Sequence, residues 1–189
     1  INLLYKKGCP HDPKNYRAVT LLSTVAKVYE GVLLTRVQKV LTESQFLSPA
    51  QSGFRKGFSI PEAFYTLYST LAHRRAQGLT TYVLFVDFQT AFPLAMKELV
   101  WSRLAQAGVR GRLFRVICEL YQNMNSEILH PDALKIETLR FEIPQGLREG
   151  SKTSPVFFAL LINDMPFYLE MGGDEGTEAS GVIPPIVAG

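Results

Sequence analysis

The stretch YVLFVDFQTAF, residues 82–92, places one carboxylate, Asp87, directly after a nearly continuous apolar, β-prone run from Tyr82 to Val86. Such a run predicts a buried strand. An ionised Asp is costly to bury inside a strand without a partner or a cation. Two chemistries stand open for Asp87: it caps a turn at a wet strand end, or it helps to hold a metal ion. Cys9 and His11 are also metal-ligand types, but no second pair with zinc-like spacing follows them, which argues against a zinc site. Basic residues recur in pairs at Lys6–Lys7, Arg55–Lys56 and Arg74–Arg75, with Arg103, Arg110, Arg112 and Arg115 further on. The formal net charge is +3, from 20 basic and 17 acidic residues; the last twenty positions hold four of the acids and no Lys or Arg, which leaves +7 on residues 1–169. That balance suits a polyanionic partner such as nucleic acid. An ordinary solvated basic surface gives the same count.

The elements that must position these groups are partly legible. A chain of 189 residues with 47% hydrophobic content fits one or two globular modules with a real core. No apolar run approaches the roughly 18 residues of a membrane span. Position 1 is Ile and no signal peptide precedes it, so the chain reads as a piece of something longer. Two cysteines do not make a disulfide framework; a reducing, intracellular setting, nuclear or cytoplasmic rather than secreted, is the expectation. Residues 1–5 suggest an edge strand, and Lys6 to Tyr16 a loop with Gly8, Pro10 and Pro13. Val25, Val28, Tyr29, Val32, Leu33, Val37, Val40 and Leu41 form a helical stripe. Ser59 and Glu62 make a capping box for a second helix, with Phe64, Leu67, Tyr68 and Leu71 as its apolar face and Gly78 as its stop. A helix near 95–107 stops at Gly108, and another carries Leu113, Val116, Ile117, Leu120 and Tyr121 at helical spacing. Residues 126–143 predict two short strands with Pro131 in the connection. A last helix is expected with Ser154 as N-cap, Pro155 at its first position, and Phe157, Leu160, Leu161 and Tyr168 buried. From Gly172 the composition turns acidic and Gly-rich before VIPPIVAG.

Four segments, in order, resemble the reverse transcriptase domain of non-LTR (LINE-type) retrotransposons. NYRAVTLLSTVAKVYEGVL is similar to N-Y-R-P-I-S-L-L-x-x-x-x-K-x-x-E, and QSGFRKGFS to Q-x-G-F-R-x-G-x-S. FVDFQTAF resembles the palm motif A, F-x-D-x-x-K-A-F-D, and GLREGSKTSPVFFALLINDM resembles motif B, G-x-x-Q-G-x-x-x-S-P-x-L-F. The likeness spans about residues 5–168. It implies an α+β right-hand polymerase: fingers over residues 1–80, a partial palm over 81–189 (motif A 83–93, motif B 146–168), and no thumb. It implies an RNA-directed DNA polymerase acting with an RNA template, a DNA primer and deoxynucleoside triphosphates through two Mg²⁺ or Mn²⁺ ions. Asp87 then takes the catalytic, metal-binding role, with the Phe88 carbonyl as a further ligand. Phe92 matches the aromatic residue that packs under the sugar. Arg55 matches a fingers residue that meets the triphosphate, as a guanidinium can with two hydrogen bonds. Motif B has two competing registers. Gln145–Gly146 looks like the family's Gln–Gly pair, yet counting back from Ser154–Pro155 lands on Glu149–Gly150. In the second register Glu149 and Gly150 are the nucleotide-side pair, with Arg148 or Lys152 available to pair the acid and Gly150 leaving room for nucleotide and template.

The chain also departs from the pattern. Thr90 stands for the usual Lys, Pro93 for Asp and Ala18 for Pro, as in a divergent or decaying copy. The Tyr/Phe-Ala-Asp-Asp motif C is missing; VIPPIVAG is similar to the strand that enters it. Three readings therefore stand. The chain is a polymerase fragment that is inactive alone; or it is a non-catalytic nucleic-acid-binding remnant; or it is a helical protein-interaction module, in which Asp87 merely ends a strand. The residues leave the oligomeric state undetermined.

Overall fold

The computed structural model describes residues 1–55, 57–122, 124–127 and 140–171, the last three by their backbone alone. It mixes helix and strand. Strand β1 (Asn2–Tyr5) pairs antiparallel with β2 (Tyr16–Val19), Asn2 opposite Val19 and Tyr5 opposite Tyr16. The expected 6–16 loop thus ends in a strand, after a single 3-10 turn at Pro13–Asn15 capped by Asp12. Helices α1 (Thr24–Glu43) and α2 (Ile60–Ala76) follow, then a short turn of helix α3 (Ala91–Leu94), α4 (Lys97–Gln106) and α5 (Gly111–Leu120). Strand β3 (Asn125–Glu127) pairs antiparallel with β4 (Arg140–Glu142), the described ends of the predicted 126–143 hairpin. The Pro131 connection lies outside the described residues. Helices α6 (Ser154–Leu161) and α7 (Met165–Met171) complete the order.

Local chemistry sets most boundaries. The Ser59–Glu62 capping box is formed, with the Ser59 amide donating to Glu62 Oε2 at 2.9 Å. Gly78 and Gly108 both take positive φ and close their helices with paired bonds: Leu79 N–H to Arg74 O, and Val109 N–H to Leu104 O. Each is a Schellman ending, which glycine adopts without a Cβ penalty. The helix expected near 95–107 is α4, which starts two residues later because Ala95 and Met96 are extended; the short turn α3 before it was not expected. Helix α6 begins one residue earlier than predicted, with Thr153 at the cap position. The Ser154 hydroxyl is engaged with the Tyr121 hydroxyl at 3.1 Å and does not cap.

The core lies where α1, α4, α5 and α6 meet. Val37, Val100, Leu104, Val109, Ile117, Phe157 and Leu160 are among its most deeply buried members. Trp101, Tyr121 and Phe157 form one aromatic cluster with centroids 5.5 to 6.1 Å apart, Trp101 meeting both others edge-on. Burying each large side chain contributes about 1.5–3 kcal/mol. Helix α6 reads SPVFFALL and is buried nearly all round, as so apolar a helix must be. The α1 stripe is only half used. Leu33, Val37 and Leu41 face the core, while Val25, Val28, Tyr29 and Val32 are exposed. Helix α2 buries only Ala63, and its expected apolar face of Phe64 and Tyr68 is open to solvent.

The clearest correction concerns residues 82–86. They form no strand; Tyr82 is 93% exposed and Phe85 78%. A strand needs a ladder partner, and among the described residues each two-stranded ribbon pairs only within itself. The terminal 182–187 segment, the other expected partner, lies outside the described residues. Asp87 is accordingly an exposed residue just before a helical turn, not the end of a central strand.

Candidate nucleotide and template site

The motif A turn is fastened to the motif B segment by its backbone. The Leu147 amide donates to Phe92 O at 2.8 Å, and the Gly146 amide to Ala95 O at 3.1 Å. The Gln145 side-chain amide adds a bond to Leu94 O at 3.0 Å. Phe88 and Phe92 both lean on Phe158 of α6, with ring centroids 5.8 and 5.6 Å away. Segments more than fifty positions apart thus share one seam, and Phe88, the residue after Asp87 in the chain, packs on the same helix. Gly146, in the register set aside by spacing, makes the closest approach: a Cβ there would stand 2.5 Å from Pro93 O. Gly150 is equally constrained, but by the chain itself; its Cβ would lie 2.6 Å from Thr20 O, with φ at +86°.

The turn carries strain. Thr90 sits at φ 52° and ψ 44°, a left-handed conformation that a β-branched residue rarely adopts. Such geometry costs about 1–2 kcal/mol. Replacing Thr90 by glycine is therefore expected to stabilise the fold by about 1 kcal/mol, read from the urea midpoint, opposite to the usual sign of a glycine substitution. An unchanged or lowered midpoint would count against strain at this position.

A cleft of about 760 Å³ opens between the end of β2, the β3–β4 hairpin and the motif B loop. Thr20, Leu22, Met124, Phe141, Leu147 and Glu149 line it, and Arg140 and Arg148 add positive charge. Arg148 does not pair Glu149. Its guanidinium lies over the Tyr121 ring, 5.3 Å from the centroid, and donates to the Leu120 carbonyl and to Met124 Sδ. Arg55 is also held within its own loop. Its Nη1 donates to Ser48 O at 3.1 Å, and its guanidinium stacks 4.5 Å over the Phe58 ring. Asn163, just past α6, clasps the same loop by accepting from Ser48 N–H at 2.8 Å and donating to Phe46 O at 3.0 Å. The Arg55 loop and the motif A turn therefore both dock on the α6 region, at different places along it.

The profile of the family described as reverse transcriptase (RNA-dependent DNA polymerase) matches residues 4–171. This chain belongs to the reverse transcriptase family. It is 24% identical over 172 residues to a probable RNA-directed DNA polymerase from transposon BS of Drosophila melanogaster, covering 88% of this chain and 18% of that protein. It is 30% identical over 154 residues to a putative 115 kDa protein in the type-1 retrotransposable element R1DM of the same species, covering 80% of this chain and 14% of the relative. A Pol polyprotein from the type-1 element R2 of Popillia japonica is 23% identical over 186 residues, 96% of this chain and 25% of the relative. The chain thus spans a quarter or less of these curated relatives.

For a reverse transcriptase domain, the acids matter most. Among the described residues no group of three His, Cys, Asp or Glu side chains is placed to hold a metal ion. Asp87 is exposed, and Asp164 of motif B is already paired with Arg103. Asp174 and Glu175 lie outside the described residues. One carboxylate and one adjacent carbonyl do not fit a pair of divalent ions, which need more negative charge and more oxygens.

Several residues of this reverse transcriptase domain escaped the sequence reading. Gln51 of the QSGF loop is 1% exposed, and its Oε1 has no hydrogen-bond partner among the described residues. Lys97 is buried and donates to the carbonyls of Tyr121 and Ile143, each at 3.3 Å. Burial pushes its pKa down, Glu98 pulls it back up, and Arg148 lowers it further. Burial likewise pushes the Cys118 thiol up. Glu30, on the buried face of α1, is 2% exposed. Its signal was available: it lies three, seven and eleven positions before Leu33, Val37 and Leu41, on one helical face.

Proposed function

We propose that this chain forms the template- and nucleotide-side part of an RNA-directed DNA polymerase, with residues 1–80 as fingers and 81 onward as palm. The observation that carries the proposal is the seam joining the Asp87 turn to residues 145–147 through Phe92 O and Ala95 O. A templated polymerase must hold the reacting nucleotide and the template base in one fixed relation, because positioning supplies much of the rate. In this reading Asp87 and the Phe88 carbonyl would offer two oxygens toward Mg²⁺ or Mn²⁺, fewer than a pair of ions needs. Phe92, firm against Phe158, supports the sugar. Glu149 borders the cleft that receives the template strand, and Gly150 lets the loop lie flush on Thr20. Arg55 reaches a triphosphate after exchanging its Ser48 contact for phosphate oxygens. The partners are an RNA template, a DNA primer and deoxynucleoside triphosphates.

A second reading, binding without chemistry by this chain alone, is favoured by the single exposed carboxylate of the motif A turn. Both readings require a nucleic-acid surface, and the +7 on residues 1–169 supports one. We expect an RNA–DNA hybrid to bind by its backbone and A-form shape, with little dependence on sequence. With about four phosphates neutralised, counterion release lowers the affinity about a hundredfold between 50 and 200 mM salt. Fluorescence anisotropy against labelled hybrid checks this. Absence of binding at 50 mM salt, or an affinity indifferent to salt, would contradict the polymerase surface and leave the interaction-module reading.

A further inference from the structure

Five buried polar side chains from separate parts of the chain meet inside the protein. Glu30 comes from α1, Tyr121 from the end of α5, Ser151 and Thr153 from the motif B loop, and Ser154 from the first turn of α6; none is more than 5% exposed. Glu30 Oε2 accepts from the Ser151 hydroxyl at 3.0 Å and from the Lys152 amide at 3.0 Å. Ser151 Oγ lies 3.0 Å from Thr153 Oγ1 and accepts from the Thr153 amide at 3.2 Å. Tyr121 Oη lies 3.2 Å from Thr153 Oγ1 and 3.1 Å from Ser154 Oγ.

Each hydroxyl has one hydrogen, and an ionised carboxylate only accepts. Ser151 gives its hydrogen to Glu30, so it must receive from Thr153. Thr153 in turn receives from Tyr121, and Tyr121 from Ser154. The Glu30 carboxylate therefore sets the direction of the whole chain. A hydroxyl chain with one consistent direction is stronger than its separate bonds, since each bond polarises the next. Both Lys152 N–H and Ser151 O–H end on the same oxygen, which fixes the loop's position and its rotation together.

Packing alone gives no reason for Glu30. It continues the apolar face of Leu33, Val37 and Leu41, where leucine would fit and a buried carboxylate is costly. Neither described ion pair includes Glu30.

We propose that Glu30 is a positioning residue for the motif B loop, holding residues 149–153 in the conformation that presents Glu149 to the cleft and seats Gly150 against Thr20. What the loop presents, and to which ligand, rests on the polymerase reading; the clamp itself does not.

The test compares the purified chain with Glu30→Leu and Glu30→Gln by amide hydrogen exchange and by affinity for an RNA–DNA hybrid at 50 mM salt. In Glu30→Leu the Lys152 and Thr153 amides exchange at least tenfold faster, those of Ile117 and Leu160 in the core are unchanged, and hybrid affinity drops at least threefold. Glu30→Gln restores much of the protection, because its side-chain oxygen still accepts from Lys152 N–H. The clamp is overturned if the loop amides do not respond, if core amides accelerate in step with them, or if glutamine rescues no better than leucine. Unaltered hybrid affinity in a Glu30→Leu chain with a freed loop overturns the positioning role. If Glu30→Leu does not fold, Ser151→Ala replaces it with the same expected loop response. Local loop exchange as expected in a chain that binds no hybrid supports the clamp and overturns the polymerase reading.

Discussion

Replacing Gly146 by alanine is expected to destabilise the protein by about 2–5 kcal/mol, a large share of the 5–15 kcal/mol typical of a domain. Two effects combine. Gly146 sits at φ +96°, where a Cβ is strained, and that Cβ would meet Pro93 O at 2.5 Å. The obstacle is backbone, so relief requires the motif A turn to move away from residues 145–147. The bonds from Gly146 N and Leu147 N to Ala95 O and Phe92 O would stretch with it. Gly78→Ala serves as the control. Gly78 has φ +74° and nothing within 4 Å of its Cβ position among the described residues, so only the conformational cost of about 1 kcal/mol remains. Urea unfolding of both variants reads the difference. Equal midpoints would mean that the motif A seam does not resist displacement.

Which parts of this structure could be read from the chain follows from the range of the forces involved. Capping at Ser59–Glu62 and the glycine endings at Gly78 and Gly108 depend on residues within a single turn, and they formed as predicted. The run Tyr82–Val86 has the composition of a buried strand, but strand formation depends on a neighbour, and no local pattern names one. For α1, periodicity identified the helix but not its inward face, because apolar residues occupy more than one side. Glu30 could be placed on the face of Leu33, Val37 and Leu41 by spacing, but its partner Ser151, 121 positions away, could not be named. Motif B is similar. Spacing favoured Glu149–Gly150 over Gln145–Gly146, yet both glycines meet a backbone carbonyl at close range, each from a different segment. Such contacts arise between segments more than fifty positions apart, so the sequence names the residues without naming their partners.

The central claim is that Asp87 supplies a carboxylate to templated DNA synthesis, in a protein that brings further acids to the same place. Two-metal phosphoryl transfer needs several carboxylates to hold the ions and balance the charge gathering on the transferring phosphate. Primer extension on an RNA template, with Mg²⁺ or Mn²⁺, tests the claim most directly. Three proteins are compared: this chain, a longer protein in which the same sequence continues through an Ala-Asp-Asp hairpin, and that longer protein with Asp87→Ala. The expected result is no extension by this chain, extension by the longer protein, and a loss of about a thousandfold or more on removing the Asp87 carboxylate. Extension by this chain alone, or extension by the longer protein that survives Asp87→Ala, would contradict it.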